Sequence, residues 1–345
     1  MSSSLVPPTD SGPGSSGRVR PPVNQNRSGA REDLRAGEGG VVSGISRRGA
    51  LGLAGAAAVA GALGTGQASA APAGEALIGP AKGEQLHVMS FNIRMDSKAV
   101  PPNPDSWRIR RPILAELLGT EQPTVLGVQE ALFTQVKEVL QDVPPFYDWI
   151  GLGREGGGRG EFMSIYYDTR RLEPLDYDHF WLSDTPSLIG SKSWGNDVVR
   201  MVTWVRFHDR RSGREFTHVN THFDHRSEPS RQRSAQLVGQ RIAGFDAGLP
   251  VVLTGDFNTP AGSSESYRIL TGGGLADTWT TADRQLTPAW GTFGGYEEPV
   301  EGEDRIDWIL HNDRVAVRAA AINTFRRDGY FPSDHFPVQA LVDLV

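Results

Sequence analysis

Seven residues along the chain have side chains that bind cations, phosphate or protons, and each stands at or just after the end of an apolar, β-branched run. They are Asn92, Glu130, His222, Asp256, Asn258, Asp307 and His335, the last inside Pro332-Ser333-Asp334-His335-Phe336-Pro337. A strand end can present such a side chain at the edge of a sheet. Carboxylates, amides and imidazoles gathered at one edge are suited to holding a hard divalent cation against a phosphate.

Each motif also has a plainer reading. Asn92, in Ser90-Phe91-Asn92-Ile93-Arg94, can ligate a metal through its oxygen, orient a neighbouring carboxylate, or simply end a strand in a turn. Glu130 closes Leu126-Gly127-Val128-Gln129-Glu130, where a charge is expensive unless paired or metal-bound; the alternative is an exposed acid at a helix start. In Gly255-Asp256-Phe257-Asn258 the acid and the amide fall on one side of an extended chain, so the acid can take a proton from a water that the amide helps to hold. An Asx-turn is the competing interpretation. His222 and Asp224 share a side if their strand continues, giving an imidazole for phosphate and an acid to orient it. With His225 they also raise zinc, although a clear three-ligand spacing is missing. Arg226, Arg231 and Arg233 can clamp a phosphate or merely be solvated. Asp307, inside the apolar run Arg305-Ile306-Asp307-Trp308-Ile309-Leu310, can hold the tautomer of His335, while Asp334 points elsewhere and can reach a metal.

Strands and helices in irregular alternation must position these groups. Alternation predicts strands over 85–93, 124–128, 162–167, 179–182, 198–207, 216–220, 251–253, 306–310, 315–321 and 338–344. Helical spacing covers 109–118 and 229–245; the second helix can be capped by Ser227, with Ala235, Val238, Ile242 and Phe245 on one face. Many strands in meander order with few helices imply two mainly antiparallel sheets packed face to face, helices outside. Gly156-Gly157-Gly158 and Gly272-Gly273-Gly274 are expected to be flexible rim loops, since neither has P-loop spacing. Trp181, Trp194 and Phe293 can stack a base or sugar, or serve as core.

The chain has 345 residues, 38% hydrophobic and 22% charged, enough to bury a full core. The absence of cysteine excludes disulfides, thiolate zinc and a cysteine nucleophile. Residues 1–45, rich in Pro, Gly, Ser and Arg, read as a disordered leader. Ser46-Arg47-Arg48-Gly49, the Ala/Gly/Leu run after it and Ala68-Ser69-Ala70 resemble a twin-arginine export signal over 46–70. That predicts use of the twin-arginine machinery, cleavage after Ala70 and an exported protein, with a retained membrane anchor as the alternative. A linker over 71–84 would lead to one domain over 85–345. The first 70 residues hold seven Arg, no Lys and four acids, so their removal leaves 28 basic and 37 acidic residues, a net charge of −9 against −6 for the whole chain. Such a protein does not coat nucleic acid by bulk electrostatics, and no stable nucleic-acid partner is expected.

Taken in order, Ser-Phe-Asn, Gln-Glu, Asn-Thr-His, Gly-Asp-Phe-Asn, Arg-Ile-Asp-Trp and Ser-Asp-His over residues 85–345 resemble the endonuclease/exonuclease/phosphatase superfamily, which includes deoxyribonucleases, sphingomyelinases, inositol phosphatases and deadenylase-like exonucleases. The resemblance implies an α/β fold, a four-layer sandwich with the site at one edge of the paired sheets. It also implies Mg2+, with Mn2+ as a substitute, carried by Glu130 with support from Asn92 and Asp334; one or two ions remain open. Asp256 would orient or deprotonate the attacking water, Asn258 and His222 would contact phosphate oxygens, and His335 paired with Asp307 would stabilise developing charge. Phe180-Trp181-Leu182-Ser183, Arg200 with Thr203-Trp204, and Thr221 to His225 look like a secreted bacterial branch near the deadenylase-like members. Arg200, Asp224, His225 and Arg231 are the substrate contacts this suggests. The expected activity is a monomeric phosphoester hydrolase acting on nucleic-acid ends or nucleotide-like phosphodiesters. A sphingomyelinase-like or other lipid or sugar phosphoesterase is the alternative, and an inactive secreted binding protein is the alternative of another class.

Overall fold

Strand β1 (Leu86–Asn92) is buried along its whole length, and its alternation shows what covers each face. Met89 and Phe91 pack with Ile113, Leu114 and Leu117 of helix α1 (Trp107–Glu121). Leu86 and Val88 point the other way, into an apolar layer shared with Val205, Phe216 and Val252 of a second sheet. In this computed structural model the described residues are 74–345; the expected leader, the export signal and residues 71–73 lie outside them.

The first sheet has the order β11-β12-β1-β2-β4-β3. Its members are β1, β2 (Val125–Ala131), β3 (Tyr147–Ile150), β4 (Phe162–Asp168), β11 (Val315–Ile322) and β12 (Val338–Leu344). The second, β5-β6-β7-β8-β10-β9, comprises β5 (Leu172–Trp181), β6 (Met201–Asp209), β7 (Glu215–His222), β8 (Val251–Asp256), β9 (Ala276–Asp277) and β10 (Asp307–His311). Each contains one parallel pair, β1 with β2 and β7 with β8, among antiparallel neighbours. Helices α1 and α2 (Phe133–Asp142) cover the outer face of the first sheet. On the second, α3 (Glu228–Ala243) and α4 (Glu265–Gly272) do the same, and the short α5 (Thr278–Thr281) precedes a long excursion to β10. Four layers result, as the sequence predicts. Among the described residues no helix is long and apolar enough to cross a membrane.

Ser227 caps α3 by accepting from Ser230 N, and Ala235 and Val238 form its buried stripe, with Ile242 and Phe245 half-buried on the same cluster. Several elements escape the sequence pattern. The first half of β5 is polar and interrupted by Pro174, which an edge strand tolerates beside its bulge at Pro174/Asp176. Part of the stretch expected to be a linker is docked: the amides of Leu77, Ile78 and Gly79 all donate to Glu121. The loop around Gly156-Gly157-Gly158 is tied by its own backbone bonds, Gly153 N to Gly157 O and Arg154 N to Glu161 O, instead of swinging freely.

Along the strands the layer between the sheets changes character. One end is apolar. Further on, Ser90, Gln129, His218, Asn220 and Thr254 take the inward positions, with Gln129 donating to Asn220 Oδ1 at 2.7 Å and Asn220 donating to Val128 O and Ser164 O. Gly127 is required for this approach, because a Cβ there would lie 2.6 Å from Asn220 Oδ1 and collide with Thr254. The same inward phase continues to the strand ends, and there it delivers the charged residues.

Candidate active site

Register sets the heart of the site. His222, Asp256 and Asp307 end or begin three neighbouring strands and are direct partners: His222 opposite Asp256 across the parallel β7–β8 pair, Asp307 opposite Asp256 across the antiparallel β8–β10 pair. The residues just after the first two, Phe223 and Phe257, turn outward into the helix layer. Phe257 stacks on Trp308 at 4.1 Å and meets Phe223 edge-on. These fully buried rings anchor the turn that holds Asp256 and Asn258.

Asn92 and His335 reach the same spot from the first sheet. Asn92 Nδ2 donates to Asp256 Oδ2 and Glu130 Oε1, both at 2.9 Å. His335 lies on the approach to β12, held by Ser333 Oγ, which donates to Asn92 O. Its Nδ1 is 2.9 Å from Asp307 Oδ2, and its Nε2 faces Asp256 Oδ2 at 3.8 Å. Asn258, with φ 51°, places its Nδ2 2.9 Å from His222 Nε2. Its backbone N–H donates to Asp256 Oδ1, so the Asx-turn forms and still leaves Oδ2 facing the site. Glu130 arrives by a route the sequence hides. A bulge between Val128 and Ala131 and a φ of 65° break the alternation and swing it toward the cavity.

Protonation follows from these contacts. Burial and the Asp307 carboxylate push Asp256 up to about 7, a value suited to exchanging a proton near neutrality. Burial disfavours a charged His335, yet Asp307 and Asp256 outweigh it and raise the ring to about 10, an imidazolium at neutral pH. Burial, then Arg200, holds His222 well below the ordinary histidine range and leaves it neutral. Burial opposes ionisation of Glu130, but His335, the Asn92 amide and Arg94 keep it below the usual carboxylate range.

These groups open into a cavity of about 460 Å³. Glu130, His222, Asn258, Asp256, Asp334, His335, Arg200 and His225 line it, as do Arg94, Arg154, Glu161 and Phe293. Phe293, 51% exposed, sits edge-on to His335 at 5.0 Å, whereas Trp181 is core. Asp224 and Arg231 are not on the wall. Strand β7 ends at His222, so Asp224 leaves its phase and instead accepts the backbone N–H groups of Asp197, Arg226 and Ser227. Arg231 spends its guanidinium on Glu228 and Asp224 O. Asp307 stands behind His335. Sequence reasoning passed over Arg94, two residues from Asn92, and the pair Arg154 and Glu161, which flank the glycine-rich loop whose rim position was foreseen.

A cation could be held here. Donor atoms of Glu130, His222 and Asp256 lie within 4.8 Å of one another, as do those of Asp256, Asp307 and His335. Asp307 Oδ1 and His222 Nδ1 are buried without a hydrogen-bond partner, so the donor set is not used up internally. Oxygen donors dominate, which suits a hard ion. Asn92, expected to support the metal, has its amide oxygen engaged by Arg94 N and its nitrogen on two carboxylates, so in this arrangement it orients Glu130 and Asp256. Asp334 joins Glu130 through Arg94, which lies 3.7 Å from one and 3.6 Å from the other.

Residues 89–335 match the Endonuclease/Exonuclease/phosphatase family. Among solved structures, an endonuclease/exonuclease/phosphatase from Bacteroides vulgatus is 32% identical, covering 76% of this chain and 99% of that one at a TM-score of 0.71. A mannosyl-6-phosphatase from Bacteroides thetaiotaomicron is 33% identical, covering 75% and 99% at a TM-score of 0.69. Protein angel of Drosophila melanogaster is 27% identical over 206 residues, 54% of this chain and 55% of that protein, so the match spans about half the length of this curated relative.

Proposed function

The chain belongs to the endonuclease/exonuclease/phosphatase family, whose hydrolases act on phosphoester bonds, and from that premise we propose that it is a metal-dependent hydrolase in which water attacks phosphorus directly, with no covalent enzyme intermediate. The observation that carries this reading is the row His222, Asp256, Asp307 in register on three strands, met by Asn92 and His335 from the opposing sheet. Asp256 orients the water and takes its proton. Asn258 and His222 contact the non-bridging oxygens, and His335, kept charged by Asp307, stabilises the charge that develops on the phosphoryl group. Glu130 and Asp256, whose carboxylate oxygens lie within 4.8 Å of one another, would hold Mg2+ or, in its place, Mn2+. When bound, the ion offsets phosphate charge.

The substrate we favour is a small polar phosphate ester such as a phosphorylated sugar, ahead of the nucleic-acid end that the sequence put first. The cavity is compact and its walls are charged, and the chain is one-third identical to a protein described as a mannosyl-6-phosphatase. Export through the twin-arginine pathway remains part of the proposal. Mass spectrometry of the mature amino terminus tests it, and a terminus upstream of Arg47 would refute cleavage. For the activity, p-nitrophenyl phosphate, bis-p-nitrophenyl phosphate and hexose 6-phosphates are assayed with magnesium and with EDTA. Hydrolysis is expected only with the metal, and turnover that persists in EDTA removes the mechanism.

A further inference from the structure

Arg200 is 4% exposed and lines the cavity beside His222. A buried guanidinium ordinarily sits on a carboxylate or on a set of carbonyl oxygens, because stripping its hydration is costly. Arg200 has neither. Its Nη2 lies 3.1 Å from His225 Nδ1, while Nε and Nη1 are buried without a partner. The nearest acid paired with it, Asp224, is 4.0 Å away and already accepts three backbone N–H groups. Arg154 stands on the same wall. Its Nη1 binds Glu161 at 2.7 Å, and its Nε is likewise buried and unpaired. Three guanidinium nitrogens thus lack an acceptor, in a wall where Glu161 is hydrogen-bonded to Arg154 and not to Arg200.

We propose that Arg200, with Arg154 beside it, forms an oxyanion subsite that takes an unesterified oxygen of a terminal phosphate and so sets a preference for phosphomonoesters over phosphodiesters. The proposal rests on the phosphoesterase reading and sharpens its substrate class. Strand pairing places Arg200 at the β7 end that carries His222, since Val202 lies opposite Thr221. A phosphodiester offers two non-bridging oxygens, which His222, Asn258 and a cation can already engage. A monoester has a third and a second negative charge. Unpaired guanidinium edges match that extra oxygen and charge, since Arg presents its N–H groups as a planar fork.

The test compares Arg200→Gln, Arg200→Lys and Arg154→Gln with the unsubstituted protein in two measurements. One is kcat/KM on p-nitrophenyl phosphate and on bis-p-nitrophenyl phosphate, which share a leaving group. The other is calorimetric binding of inorganic phosphate and of dimethyl phosphate. Arg200→Gln is expected to lower kcat/KM on the monoester by about 10- to 100-fold, the effect of losing hydrogen bonds to a charged group, and on the diester by a few-fold at most. Inorganic phosphate should bind correspondingly more weakly, and dimethyl phosphate should change little. Lysine, which keeps the charge and loses the fork, should restore only part. If melting shows that Arg200→Gln does not fold, Arg154→Gln carries the same comparison. Equal losses on both esters, or unchanged phosphate affinity, overturn the proposal. No hydrolysis of either ester by the unsubstituted protein would sink the phosphoesterase reading instead, and the phosphate titrations would still decide the subsite.

Discussion

Two carboxylates in this molecule are equally hidden, Glu121 and Asp256 at 1% exposure each, and they are treated in opposite ways. Glu121, at the end of α1, receives three backbone N–H groups from Leu77 to Gly79 and the Asn323 amide. It pins the entering chain to the body. Asp256 receives one backbone N–H and one amide, and faces a second carboxylate across its own sheet. The buried arginines repeat the contrast. Arg110 donates to the carbonyl oxygens of Ile93, Arg94, Met95 and Asp105, whereas Arg200 is left with two nitrogens unpaired. Burial alone therefore does not separate scaffold from site. What separates them is whether the polar atoms are already used.

That contrast is best broken by substitution on each side. Asp256→Ala should lower hydrolysis by about 100- to 10,000-fold, the range for loss of a positioned base, with a melting temperature unchanged or raised because a buried repulsion disappears. Phe257→Ala should cost about 3–5 kcal/mol in denaturant unfolding and should also reduce activity, since its ring anchors the Asp256 turn; full activity in the folded fraction would show that the anchor is dispensable. Glu121→Ala should do the reverse of Asp256→Ala: about 3 kcal/mol of stability lost through unpaired buried N–H groups, with kcat/KM within a few-fold.

A further effect concerns pH. Burial lowers His218, in the polar layer between the sheets, to about 3. The unfolded chain takes up this proton near 6.5 and the folded chain does not, so its contribution is complete above pH 6.5 and shrinks as the pH falls toward 3, by at most about 1.4 kcal/mol per unit. His218→Gln should flatten that part of the stability profile measured between pH 6.5 and 4. An unchanged slope would assign it to other groups.

How much of this was legible in the sequence depends on how each residue reaches its place. His222, Asp256 and Asp307 were legible because they continue the alternation of apolar strands, and periodicity carries them to one edge. Glu130 was found for a weaker reason, its position after a buried run, since the bulge that aims it leaves no mark in the pattern. Asp224 and Arg231 lie off the cavity wall because nearness in sequence to His222 does not fix direction once the strand has ended. Arg154 and Glu161 were invisible, lying in a glycine-rich loop whose register depends on backbone bonds. The polar first half of β5 and the short α4 and α5 were missed because neither burial nor period marks them strongly.

Calorimetric titration with MgCl2 of the unsubstituted protein, Glu130→Gln and Glu121→Gln separates a carboxylate that holds a cation from one that holds the scaffold. Binding is expected in the first, at least about 10-fold weaker binding in Glu130→Gln, and affinity close to the unsubstituted value in Glu121→Gln. Equal affinity in the unsubstituted protein and Glu130→Gln would contradict a cation held by Glu130.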